Sequence, residues 1–141
     1  MNPSAAAFIR ACDQNGLKHS TPQLLPGGQT SVSLGINGSH GVAYTFRFFF
    51  GVQGNDVAIR VFRLGTGIPE HLRSGYIQRC NRANNRHRWL KVVLDPDGDI
   101  NLEADCIITP ETAGDTCMEL LRLLAQALDD AYPGLFAVIC F

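Results

Sequence analysis

Hydrophobic and polar positions change their period several times along the chain, and each change marks an element. Ala5, Phe8, Ile9 and Cys12 share one face at helical spacing. Ser4 stands where an N-cap belongs and Gly16 where a helix stops, so the spacing predicts a short helix over 5–15. Residues 17–29 hold two prolines and two glycines and read as loop, with room for a brief extended piece. The period then becomes two. "TSVSLGI" sets Val32, Leu34 and Ile36 against polar neighbours, "VAYTFRFFF" sets Tyr44, Phe46 and Phe48 against Thr45, Arg47 and Phe49, and "VAIRVFRL" places Arg60 opposite Ile59 and Val61. The turn sequences "NGSHG" and "GVQGND" join the three runs into an antiparallel meander.

Helical spacing returns after Pro69-Glu70, a favoured N-terminal pair. Leu72, Tyr76, Cys80 and Ala83 line one face, and the helix fades at Asn84-Asn85. From Trp89 the period is two again: Leu90, Val92 and Leu94, then, past a turn, Ile100, Leu102, Ala104, Cys106 and Ile108. Thr109-Pro110 lead into a helix over roughly 112–131, whose stripe is Cys117, Leu120, Leu121, Leu124, Ala127, Leu128 and Ala131, with Pro133-Gly134 as its stop. The order α-β-β-β-α-β-β-α predicts a single α+β domain over 1–141, with helices packed on an antiparallel sheet.

The turn between the last two strands, "LDPDGDINLE", mimics the start of a calcium loop, with carboxylates at Asp95, Asp97 and Asp99. Counted from Asp95, an EF-hand loop needs Gly at the sixth position and Glu at the twelfth. Those positions hold Ile100 and Cys106. A hairpin explains more: Pro96 presets φ, Asp97 suits the next position, and Gly98 takes the left-handed conformation that follows. A weak surface cation site over 95–99 stays open beside that reading, since clustered carboxylates repel one another.

Composition narrows the class: 45% of residues are hydrophobic and 18% charged, as in an ordinary globular chain. No apolar run approaches the roughly 20 residues that span a bilayer. Arg10 inside the first apolar stretch does not fit a secretory signal, and five cysteines without short spacing suit reduced thiols; a cytoplasmic setting is expected. Charge is lopsided. Residues 1–94 carry 11 Lys/Arg and 3 Asp/Glu, while residues 95–141 carry 1 and 10. The halves either attract each other or expose a basic surface to nucleic acid.

Candidate chemistry is sparse. Neither Cys-x-x-Cys nor His-x-x-x-His occurs, and no metal or cofactor is expected. Cys80, Cys106 and Cys117 fall on apolar faces, and Glu103 and Asp105 on the opposite, wet face, so no catalytic residue is assigned and no enzyme is expected. "GVQGND" and "RLGTG" lack the lysine of a phosphate loop. The strongest signal is basic: Arg73, Arg79, Arg82, Arg86, Arg88 and Lys91 crowd segment 73–91 together with His87 and Trp89. Such a cluster neutralises phosphates or complements the acidic half of the chain.

Residues 78–133, with an Asn-rich helix end (Asn81, Asn84, Asn85), a basic-aromatic strand entry, an acidic-Gly hairpin and a Thr-Pro-led amphipathic helix, resemble the bacterial YbjN-domain family. The resemblance implies an α+β fold similar to class I type III secretion chaperones and a regulator-like role that specifies no reaction. It also implies that the three asparagines cap the helix and bond the loop after it. The chain is less acidic than such a chaperone. The expectation is therefore a protein-interaction module with Arg79, Arg82, Arg86, Arg88, Trp89, Leu135, Phe136 and Phe141 as its surface, and a nucleic-acid-associated regulator as the alternative. A homodimer is expected too, since the tail 135–141 is apolar except for a thiol and soluble monomers seldom expose such a patch. The same tail could instead fold back as an added strand or as a strap over the helices.

Overall fold

Alternation of period two fixes which side of each strand meets the core, and the computed structural model, which describes residues 1–136, follows it closely. The elements are α1 (Pro3–Gln14), β1 (Gln23–Leu24), β2 (Thr30–Asn37), β3 (Ala43–Phe50), β4 (Asp56–Gly65), a 3-10 turn (Glu70–Leu72), α2 (Arg73–Arg86), β5 (Val92–Leu94), β6 (Ile100–Ile107) and α3 (Ala113–Phe136). The α+β order expected from the sequence is present, with β1 as a two-residue addition. The six strands form one antiparallel sheet in the order β1-β2-β3-β4-β6-β5.

The buried face of the sheet carries Val32, Leu34, Phe46, Phe48, Phe50, Ile59 and Leu102. Phe8 of α1 packs on Phe48 with ring centroids 4.3 Å apart, while Leu121, Leu124 and Leu128 bring α3 onto the same layer. Cys80 and Ala83 do so for α2. On the opposite face Thr45, Phe62 and Asp105 are exposed, and Arg47 lies over the rings of Phe49 and Phe62 at 5.1 and 5.9 Å.

Several element ends differ from the sequence reading: the helix expected from Pro69-Glu70 starts at Arg73 behind the 3-10 turn, the strand expected from Trp89 starts at Val92, and both ends of the helical layer shift. The cap of α1 is Asn2, whose side chain accepts from the amides of Ser4 and Ala5, with Pro3 at the first helical position. Ser4 is buried inside the helix and its hydroxyl donates to the Gly54 carbonyl. At the other end, α3 does not stop before Pro133 but runs to Phe136. Proline deprives the carbonyl four residues back of its donor. That carbonyl is Asp129, and the Nε2 of His40 donates to it at 3.1 Å. With the orphan acceptor satisfied, burying Leu135 completely favours the extra turn. Residues 137–141, including Phe141, lie outside the described residues.

Candidate functional site

The acidic hairpin is built as a turn. Gly98 adopts φ +84°, and Asp95 closes the loop through backbone bonds with Asp99 and Gly98. One carboxylate oxygen of Asp95 accepts from the amides of Asp97 and Asp99, both at 2.9 Å, and the other accepts from the Asn101 side chain at 2.9 Å. The Asp99 amide chiefly, with Asn101 and Asp97, holds the Asp95 carboxyl below its ordinary range. Asp99 lies 3.6 Å from the Arg63 guanidinium. These carboxylates organise the chain rather than converge. Among the described residues, no three His, Cys, Asp or Glu side chains come together as metal ligands would.

A second polar cluster escapes sequence reasoning. Asp129 of α3 accepts from the amide of Ser39 at 2.9 Å and from its hydroxyl at 2.6 Å, while His40 bonds the Asp129 carbonyl. Serine, histidine and aspartate meet here, yet not as a catalytic relay, because the serine donates to the aspartate and no histidine lies between them. The cluster clamps the β2–β3 turn to α3. Ser39 chiefly depresses the Asp129 carboxyl. Tyr44, packed beside it, keeps a buried hydroxyl without a hydrogen bond among the described residues, and burial pushes its pKa to about 12. The only sequence signals are "NGSHG" and the proline four residues after Asp129.

Cys12, Cys80 and Cys117 are buried. Burial raises Cys12 to about 11 and Cys117 to about 12, and raises Cys80 as well. A thiol so protonated at neutral pH is a poor nucleophile.

The basic segment divides into two parts. Arg73 donates to the Asp95 carbonyl and sits 3.7 Å from Glu70, His87 is 3.3 Å from Asp130, and Lys91 is 3.3 Å from Glu103. These groups stitch the basic half to the acidic half. Arg79 stacks on Tyr76 at 4.9 Å and donates to the Leu135 carbonyl at 3.0 Å, where the negative end of α3 welcomes a cation. Arg82, Arg86 and Arg88, by contrast, have no carboxylate partner among the described residues. Of the three asparagines expected to cap α2 and bond the loop after it, Asn84 exchanges two bonds with the backbone of Val92 in β5 at 3.0 and 2.8 Å, Asn81 and Asn85 are exposed, and the C-cap is His87.

Trp89 stands at the centre of this region. It is 50% exposed and lies under Arg88 at 5.1 Å. On one side is a hollow of about 400 Å3 bordered by Arg86, His87, Leu123 and Asp130. On the other is a hollow of about 370 Å3 bordered by Cys106, Leu120 and Leu123 and by the acids Asp115 and Glu119. The structure thus brings Arg86, Arg88 and Trp89 together, places Arg79 and Arg82 around a smaller notch of about 130 Å3, and turns the Leu135 side chain into the core, so that only its carbonyl meets Arg79. Phe136 is partly buried against Tyr132, with ring centroids 4.9 Å apart.

The described residues thus form an antiparallel sheet backed by helices, with Arg88 and Trp89 stacked at its rim. The chain belongs to the YbjN family: the family model described as "Putative bacterial sensory transduction regulator" matches residues 26–137. No curated protein matches the sequence. No helix among the described residues is long and apolar enough to cross a membrane.

Proposed function

We propose that this chain is a non-enzymatic, cytoplasmic protein-interaction module with a regulator- or chaperone-like role, and that its partner docks around Trp89. The half-exposed Trp89 carries this reading. A tryptophan left in water between two hollows, with Arg86 and Arg88 beside it, is the residue combination that dominates protein–protein binding energy. Family membership supports a regulatory role of this kind. The test is capture of partners from the native host with wild-type chain and with an Arg86→Glu/Arg88→Glu double variant. A protein retained by the first and lost by the second supports the reading; equal retention overturns it.

One observation favours a second reading. Among the described residues Arg82, Arg86 and Arg88 lack carboxylate partners, which leaves them open to a nucleic-acid phosphate backbone. Nucleic acid absorbing alongside the purified protein, and salt-sensitive binding to a labelled strand, would shift the assignment there. Self-association into a homodimer accompanies the first reading. Light scattering should then give about twice the 15.4 kDa chain mass, whereas a monomer at every concentration removes the dimer.

A further inference from the structure

We infer that the notch between α2 and the end of α3, walled by the guanidiniums of Arg79, Arg82 and Arg86, binds the phosphoryl group of a phosphorylated residue in a partner protein, while a neighbouring apolar side chain of that partner enters the hollow beside Trp89. This rests on the interaction-module reading and names its partner's chemistry. Arg82 follows Arg79 by three residues and Arg86 follows Arg82 by four, so one face of α2 presents all three. Asp130, Ala131 and Gly134 of α3 form the facing wall. Arg79 is fixed in place by the Tyr76 ring and by the Leu135 carbonyl at 3.0 Å. Arg82 and Arg86 are exposed and meet no carboxylate among the described residues. The notch of about 130 Å3 holds the space of about four waters, enough for one phosphoryl group.

Charge selects the occupant. The three guanidiniums face one carboxylate, Asp130, and the end of α3, which carries roughly half a negative charge. His87 is turned to Asp130 at 3.3 Å. Histidine aside, the surplus is about 1.5 positive charges. A phosphomonoester brings about −1.5 to −2 at neutral pH, with three oxygens for the forked donors of arginine. A carboxylate, or one phosphodiester of a nucleic-acid strand, brings a single charge and leaves part of the surplus unmatched. Position selects the source. Arg86, His87 and Asp130 border both the notch and the hollow of about 400 Å3 beside Trp89, so the two are contiguous. Leu123 and Ala127 give that hollow apolar walls next to the Trp89 ring. A small phosphate ester would use the notch and leave the hollow empty. A phosphorylated peptide fills both, with its phosphate among the three arginines and its apolar side chain against Trp89 and Leu123.

The experiment probes arrays of short random peptides, each with a central phosphoserine, phosphothreonine or phosphotyrosine and each beside its unphosphorylated copy, with the full chain. Retained peptides are then titrated while following emission from Trp89, the single tryptophan of the sequence. The expected result is an apolar residue near the phosphate, a preference of about tenfold or more over the unphosphorylated copy, and a shift of emission to shorter wavelength on binding. Arg82→Gln should lose most of that preference, whereas Asp130→Asn, which removes the opposing carboxylate, should increase it. Arg10→Gln on α1 should change nothing. All three side chains are exposed, and circular dichroism verifies that the variants fold. Equal retention of phosphorylated and unphosphorylated peptides, or an Arg82→Gln variant that binds as tightly as wild type, overturns the proposal. No binding by the full chain overturns it too, whatever else fills the notch. Free phosphoserine or inorganic phosphate binding as tightly as the best peptides would make the ligand a small phosphate, and a labelled oligonucleotide doing so would make it nucleic acid; either removes the partner protein as the source. Partner capture that is lost with Arg86→Glu/Arg88→Glu, but survives both Arg82→Gln and phosphatase treatment of the host extract, would sink the phosphoryl site and leave the interaction module standing.

Discussion

Replacing Gly98 by alanine is the sharpest probe of the acidic hairpin. Gly98 has φ +84°, where an added Cβ would sit 3.1 Å from the Ile68 carbonyl oxygen and 3.3 Å from the Ile68 nitrogen. A left-handed conformation costs a residue with a Cβ roughly 1–2 kcal/mol. The neighbour is backbone, so relief comes only by moving the 67–68 segment, and that movement strains the 2.9 Å bond from the Ile68 amide to the Gly98 carbonyl. Losing such a bond costs about 1 kcal/mol. The total is about 2–3 kcal/mol, which for a chain of this size lowers the melting temperature by roughly 6–10 °C. Thermal melts followed by circular dichroism measure it, with calcium and with EDTA. The two drops should agree, because the Asp95 carboxylate is already saturated by Asp97, Asp99 and Asn101. A variant that melts within about 1 °C of wild type, or a loss that only calcium reveals, would refute the turn-based account.

Gly75 offers the opposite sign: it lies within α2 with nothing within 4 Å of a built Cβ, so Gly75→Ala should stabilise by about 0.5–1 kcal/mol in the same melts. Leu135→Ala should cost roughly 2–5 kcal/mol, read by urea titration, because this side chain is fully buried. Acid should destabilise through Asp95 and Asp129. Their folded pKa values are depressed, so their contribution is complete above the unfolded value near about 4 and vanishes as pH falls through the folded one. Melting temperature should therefore hold from neutral pH to about 5 and then decline, and Asp129→Asn should soften the decline; a flat profile through that window would contradict it.

Most elements are legible in the sequence because burial writes a period into the chain. Val32, Leu34, Phe46, Phe48 and Ile59 alternate, and Leu121, Leu124 and Leu128 recur at helical spacing, since one side of each element meets the core. The remainder depends on partners distant along the chain. Proline at 133 reads as a stop until His40, 93 positions away, supplies the missing donor to Asp129. Arg63 takes φ 59°, unusual for a residue with a side chain, at the irregularity in β4 between Val61 and Gly65, where the Asn101 side chain accepts its amide at 2.8 Å. Nothing local announces that. The candidate surface was half legible: arginines and Trp89 stand out in composition, but the notch among Arg79, Arg82 and Arg86 exists only because α3 runs past Pro133 and brings Gly134 to its wall.

The working face of the molecule is tested most directly by hydroxyl-radical footprinting of the chain alone and bound to the protein captured from its host. Trp89, 50% exposed, should become protected, while Phe62 and Val52, 46% and 58% exposed and remote from the Trp89 hollows, should react as before. Protection of Phe62 and Val52 with Trp89 unchanged would contradict the assignment and move the docking surface elsewhere.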